Sequence, residues 1–349
     1  MANSLWLGCA PDQDSHVRLK HNSVRRERRR LLLLTCFGLG LLAHSPARAS
    51  DDDIQSQRNE YAKACRDAIG PVRAFSCADG AVVPITVNGE PVDPTANQTC
   101  DRPALLDNGD QSDGQCVPNS RIVSLSTATA QVTAMCRQKK MRDASSMQFD
   151  EIDVVAHNPT TGATCWFQAV PQSGRPVEGA SVPSPTDENV SAIWNDPKAI
   201  ATGSERCGNC HDAGPTMYSP FVGQVWSVVR VDPFGPYFHV DPENRFGFHA
   251  WPTDALHPRD NACLGCHRIG IDQTCSQLTQ WMSGLASPSG ADDAAQRYPL
   301  SHGMPPPIGQ TQTSWNKIYA SSVAEIVSCC KDPNQQGCNR AKIAGAPPK

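Results

Sequence analysis

Two five-residue stretches constrain this chain more than any other feature: Cys207-Gly208-Asn209-Cys210-His211 and Cys263-Leu264-Gly265-Cys266-His267. In each, two thiols flank two residues and an imidazole follows at once, so one turn of chain carries all three groups. With 16 cysteines and 10 histidines in 349 residues, chance would produce this pattern about 0.02 times, yet it occurs twice. A redox Cys-x-x-Cys pair needs no following histidine and usually sits in a thioredoxin-like pattern that this chain lacks. Cys263 follows Cys207 by 56 residues, too few to wrap each motif in a domain of its own. The two motifs should share one domain and lie close together.

The spacing meets a chemical requirement. Two thiols can add across the two vinyl groups of a haem, and the adjacent histidine then turns under the macrocycle to ligate its iron. In these ten residues the chain resembles the c-type cytochromes. That resemblance implies two covalently bound haem c groups, one on Cys207 and Cys210 with His211 on its iron, the other on Cys263 and Cys266 with His267. It further implies periplasmic maturation and, most often, electron transfer. It says nothing about residues 51–190.

Function then turns on the opposite face of each iron, where methionine raises the potential, histidine lowers it, and an open face permits chemistry. Met304 lies in Ser301-His302-Gly303-Met304-Pro305-Pro306-Pro307, and class I cytochromes c resemble this in placing a ligand methionine on a proline-bearing loop. His302 is its closest rival. His257 precedes Cys263 by six residues, which resembles multihaem cytochromes whose distal histidine precedes the next motif. His249 and His239 are rivals to it. Met217 follows His211 too closely to reach the far face of the same haem, and His157 falls in an expected hairpin as a structural residue. Residues 212–262 hold nine of the 21 aromatics, where about three would follow from length. Several of them should line a haem pocket.

Export fits this chemistry. Arg25, Arg26, Arg28, Arg29 and Arg30 precede an apolar run from Leu31 to Ala43, and Ala47-Arg48-Ala49 supplies a small-x-small signal. Residues 1–49 therefore read as a signal peptide cleaved after Ala49. The remainder would carry 23 basic and 32 acidic residues, a formal net charge of −9. Such an acidic chain is a poor nucleic-acid binder and suits redox protein partners with a basic docking surface. No run approaches the roughly 20 apolar residues of a membrane span. Outside the motifs, six cysteines precede them (Cys65, Cys77, Cys100, Cys116, Cys136, Cys165) and four follow (Cys275, Cys329, Cys330, Cys338). Both groups are even, as a disulfide framework in an oxidising compartment requires, and the connectivity stays open.

The expected fold is α+β. A helix over 51–68, started by Asp51-Asp52-Asp53 and stopped by Gly70-Pro71, opens the mature chain. Hairpins follow at Asn88-Gly89 and across Ile152–Val170, with the turn at Asn158–Gly162. Asp107–Gly114 reads as a surface loop and 171–190 as a linker. Residues 50–180 should form a disulfide-stapled, β-containing domain. Residues 181–349 should form a loop-rich, mainly α-helical di-haem domain with short helices near 219–229, 273–286 and 318–329, separated by long irregular segments. The leading functional expectation is a di-haem electron carrier. The alternatives are a haem-linked binding or sensor protein that uses the N-terminal domain, and a di-haem peroxidase-like oxidoreductase. Against the last, peroxidases of that kind carry their motifs in two domain-sized halves.

Overall fold

Helix α1 (Asp51–Ile69) forms where the sequence places it, because Ser50 and Asp53 cap each other's backbone in a reciprocal box. In the computed structural model, which describes residues 50–93, 99–104, 115–203, 206–217, 219–229, 234–286 and 311–345, its inner face buries Tyr61, Ala62, Cys65 and Ile69. Gly70 ends it at φ 107°, a conformation that glycine adopts without a Cβ penalty.

Beneath α1 lies a six-stranded sheet: β1 (Ala81–Val82), β2 (Arg121–Ser124), β3 (Gln131–Arg137), β4 (Glu151–His157), β5 (Ala163–Ala169) and β6 (Phe238–His239), in that spatial order. Neighbours are antiparallel except β5 and β6, which run parallel. The hairpin β4–β5 turns where Asn158 Oδ1 accepts the N–H groups of Thr160 and Thr161. Gly162 completes the turn at φ 89°. The Asn88-Gly89 turn joins the ribbon Thr86–Val87 and Glu90–Pro91. Both residues sit at positive φ, 52° and 85°, as such hairpins require.

Every residue of β4 and β5 is buried, so the sheet is covered on both faces. Alternation then sorts the side chains. One face, under α1, carries Ala134, Cys136, Ile152, Val154, Cys165 and Phe167, and the disulfides Cys65–Cys165 and Cys77–Cys136 staple it. The other carries Met135, Asp153, Val155, His157, Trp166 and Gln168. His157 is buried there, its Nδ1 2.9 Å from Thr164 Oγ1.

The fold is thus mixed α+β with several disulfides. Residues 171–190 run along the sheet, with Val177–Glu178 pairing Gln148–Phe149 and Val182 bridging Phe75. β6 comes from beyond that stretch. Cysteines pair within the two groups seen in the sequence, the remaining bonds being Cys100–Cys116, Cys275–Cys330 and Cys329–Cys338. Five disulfides among the described residues are the chemistry of an oxidising, extracytoplasmic compartment. No described helix is long and apolar enough to cross a membrane.

Beyond residue 190 two of the three expected helices are shorter than expected, and the third is longer. Pro220–Gly223 and the tight turn Trp226–Val228 stand near 219–229, and Thr274–Leu278 with Thr279–Met282 near 273–286. Among the described residues there, only α2 (Gln312–Lys331) is long, and it contains the expected 318–329. Prolines at 236, 242, 252 and 258 remove helical donors through the intervening stretch. The leader 1–49 and the Asp107–Gly114 loop lie outside the described residues.

Candidate functional site

The two motifs adopt the same turn. The Cys207 carbonyl accepts the N–H of Cys210 at 3.2 Å and of His211 at 2.9 Å, and the Cys263 carbonyl accepts those of Cys266 and His267 at 3.3 and 3.0 Å. Each is a single helical turn, with both cysteines and the histidine brought onto one short segment.

Their surroundings differ. Motif 1 lies against the α1-distal face of the sheet. The His211 ring packs 4.7 Å from that of Trp166 on β5, and Cys210 shares a core with Met135, Met217, Phe221, Leu278 and Trp281. Gly208 presses so closely on Trp251 that a Cβ there would fall 2.3 Å from the indole. The Tyr237 hydroxyl donates to the His211 carbonyl at 2.5 Å. Motif 2 sits at the surface: Cys266 is exposed, and Cys263 and His267 are half-buried. Helix α2 supports it, since Asn261 accepts the Cys263 N–H while donating to the Ser322 carbonyl and Glu325.

His211 is buried, and neither ring nitrogen has a hydrogen-bond partner of ordinary geometry. Burial pushes its pKa down to about 4, against the opposing carbonyls of Gly214 and Pro215 that face the ring. A neutral imidazole facing backbone carbonyls can keep one nitrogen protonated and offer the other's lone pair to a metal. Burial likewise lowers His267. The buried aromatic wall, the orphaned ring nitrogens of His211 and the Cys210 thiol fit a covalently held haem, provided Cys207 is a thiol as well. Motif 2 offers the same donors with less cover. Cys210, Cys263 and Cys266 are thiols outside any disulfide. Cys207 is disulfide-bonded, so thioether formation at Cys207 requires that bond to be absent. Among the described residues no three His, Cys, Asp or Glu side chains converge as a metal cage. An iron held by a porphyrin and an axial imidazole needs no such cage.

The distal candidates separate. Met304 and His302 lie outside the described residues. His257 is exposed, its backbone bonded to Cys338 and Asn339. His249 is exposed, with Nδ1 2.8 Å from Asp241 Oδ2, a carboxylate–histidine pair that leaves Nε2 with its lone pair. His239 is buried near His211, whose charge and, above all, burial push its pKa down to about 3. Its Nδ1 accepts the Trp166 indole N–H at 3.1 Å. Neutral His239 must then carry its proton on Nε2, so iron could bind that nitrogen only after the ring had lost the proton or broken the indole bond.

The motifs are joined directly. Asp212, fully buried beside His211, accepts the Asp272 N–H at 2.7 Å and the Thr274 hydroxyl, and Thr274 also reaches the Cys210 carbonyl at 3.0 Å. Burial pushes the Asp212 carboxyl up to about 8. Arg268, next to His267, donates to the Ala213 carbonyl at 3.1 Å and the Gly235 carbonyl at 2.8 Å. The structure therefore brings both motif turns into one unit, as their spacing predicts. Sequence reasoning missed Trp166, Asp212, Arg268 and Thr274. Adjacency to His211 and His267 could have flagged Asp212 and Arg268; nothing local marks Trp166 or Thr274. Of the aromatics expected to line the pocket, Tyr237 and Trp251 touch motif 1, while Phe246 and Phe248 pack on Tyr61 of α1 and Phe234 is exposed. No family model, curated protein or solved structure matches the chain.

Proposed function

We propose that this chain is an exported di-haem c-type cytochrome that passes electrons between protein partners through two closely spaced haems. One observation carries the reading: two Cys-x-x-Cys-His segments fold to the same turn and are hydrogen-bonded to each other through Asp212 and Arg268. Haem iron would supply the one-electron chemistry. The chain's own part is to present His211 and His267 as neutral axial ligands and to hold the first site among Trp166, Trp251 and Tyr237, away from water. It also fixes the distance between the two sites. An acidic mature surface suits basic soluble partners.

The test is expression in a host that matures cytochromes c, followed by haem-to-protein stoichiometry and mass measurement under denaturing conditions. Two covalent haems are expected, falling to one in Cys207→Ala/Cys210→Ala and to one in Cys263→Ala/Cys266→Ala. No covalent haem would overturn the reading. Electron paramagnetic resonance of the oxidised protein then separates transfer from chemistry: two low-spin haems fit a carrier, whereas a high-spin haem that binds cyanide fits a sensor or an oxidoreductase.

A further inference from the structure

Two carboxyls stand two residues apart on β4, and the sheet treats them differently. Side chains alternate along a strand, so Glu151 and Asp153 share one face, the one on which motif 1 rests. Glu151 is fully buried and accepts from the Arg137 guanidinium at 3.0 Å and the Gln168 amide at 2.8 Å, with the Lys139 ammonium 3.2 Å away. Asp153 is buried too, between Met135 on β3 and Gln168 on β5. Yet neither of its oxygens has a hydrogen-bond partner of ordinary geometry. A buried carboxylate without donors is costly, and a second carboxylate beside it adds to the cost. The charged groups that face Asp153 are Glu151 on its own strand, Arg137 on β3 and Lys139 just beyond β3. Met135 beside it joins the apolar core of Phe221, Val222 and Leu278, which brings no charge. Burial first, then Glu151, push the Asp153 carboxyl well above the usual 3.8, against the pull of Lys139, Arg137 and the Gln168 amide. Of two such neighbours, one keeps the charge and the other keeps the proton.

We propose that Asp153 is an uncharged carboxylic acid and an alkali-sensitive latch on the sheet face that carries motif 1. With its proton in place, the face formed by β3, β4 and β5 stays closed. In alkali the carboxyl O–H bond breaks, the proton passes to hydroxide to give water, and nothing is oxidised or reduced. Two buried anions then face cations already engaged by Glu151, and water entering between the strands relieves the new charge. Trp166 lies two residues before Gln168 on the same face of β5 and packs on the His211 ring, so the opening starts beside motif 1. The latch needs the sheet alone and does not depend on the di-haem reading.

The experiment compares the full chain with Asp153→Asn. Near neutral pH, their infrared difference should show a protonated carboxylic C=O stretch in the parent that the variant lacks. A carboxyl raised in the fold contributes stability that is full below its unfolded value of 3.8 and lost as pH rises towards the folded value. Asp212 acts alike in both proteins and drops out of the comparison. The folding constant of Asp153→Asn relative to the parent should therefore rise by up to about ten-fold per pH unit above about pH 4. Hydrogen exchange, corrected for its intrinsic pH dependence, should show β3, β4 and β5 opening in alkali in the parent and staying closed in the variant. A missing carboxylic band, a stability ratio that does not change with pH, or exchange that is alike in both proteins overturns the proposal. Asp153→Leu, uncharged and of similar volume, serves if Asp153→Asn does not fold. A parent protein without covalent haem that still shows the band and the slope would sink the functional reading alone, so the two failures are distinguishable.

Discussion

Motif 1 and motif 2 are the same turn in two settings. One rests on a stapled sheet among Trp166, Trp251 and Phe221; the other rides on the flank of α2 with a cysteine exposed. The turn follows from local backbone hydrogen bonds, so the five residues suffice to specify it. The setting follows from long-range pairing, and so differs. A buried motif and an exposed one should therefore respond unequally to equivalent damage.

The largest inequality should come from the disulfides under each motif. Cys65–Cys165 closes a loop with sequence separation 100, on the sheet that carries motif 1, whereas Cys329–Cys338, near motif 2, has a separation of 9. Loop-closure entropy assigns about 4.7 kcal/mol to the first and about 2 to 3 kcal/mol to the second. Denaturant unfolding of Cys65→Ala/Cys165→Ala and Cys329→Ala/Cys338→Ala checks this. The first should lose clearly more stability, and equal losses would mean that the stapled sheet is not the dominant support.

A sharper comparison uses the glycine inside each motif. Gly208→Ala would drive a methyl to 2.3 Å from the Trp251 ring, whereas a Cβ at Gly265 meets nothing within 4 Å. Overpacking of this kind costs about 1 to 3 kcal/mol, and the exposed change about 0.5 kcal/mol or less. Thermal unfolding of the two single variants reads the difference. Similar midpoints would show that Trp251 moves aside easily, and that the pocket around His211 is looser than its packing indicates.

These pairs also show what the sequence could disclose. Helix α1, both hairpins and the grouping of the cysteines were legible because caps, turn residues and even counts are local signals. So were the ten motif residues and their proximity, which follows from a short separation. The pocket was not legible. Trp166 reaches His211 only because β4–β5 register turns it to the same face as Met135 and Asp153, and no local pattern encodes register against a distant motif. His239 looked like any rival ligand until the Trp166 indole fixed which of its nitrogens carries the proton. The short helices expected near 219–229 and 273–286 break into shorter turns, whereas the one expected at 318–329 extends over Gln312–Lys331, where Thr311 and Ser314 cap it.

Acid gives the smallest contrast, and its sign is fixed by which carboxylates are depressed. Burial pushes Asp150 up, but bonds from Arg142 and the Lys139 N–H outweigh it and hold the carboxyl below its usual 3.8. Burial pushes Asp241 up as well, and the N–H groups of His249, Phe246 and Gly247 outweigh it. Both carboxylates serve the sheet side of the molecule, Asp150 at the entry to β4 and Asp241 just after β6. A depressed carboxylate contributes stability that is present above its unfolded pKa and lost as pH falls through the folded one. Asp212, raised to about 8, has the opposite sign: its contribution is full below about pH 4 and lost as pH rises towards 8, so it adds no slope in acid. Between about pH 4 and pH 2 the frame of motif 1 should therefore weaken through Asp150 and Asp241, and through His239, which burial holds neutral down to about 3, with Asp150 worth no more than about 1 kcal/mol. Asp150→Asn should flatten part of that acid slope in unfolding temperature and leave the profile above pH 5 parallel to the parent. A slope unchanged by the substitution would remove Asp150 from the acid response and leave it to Asp241 and His239.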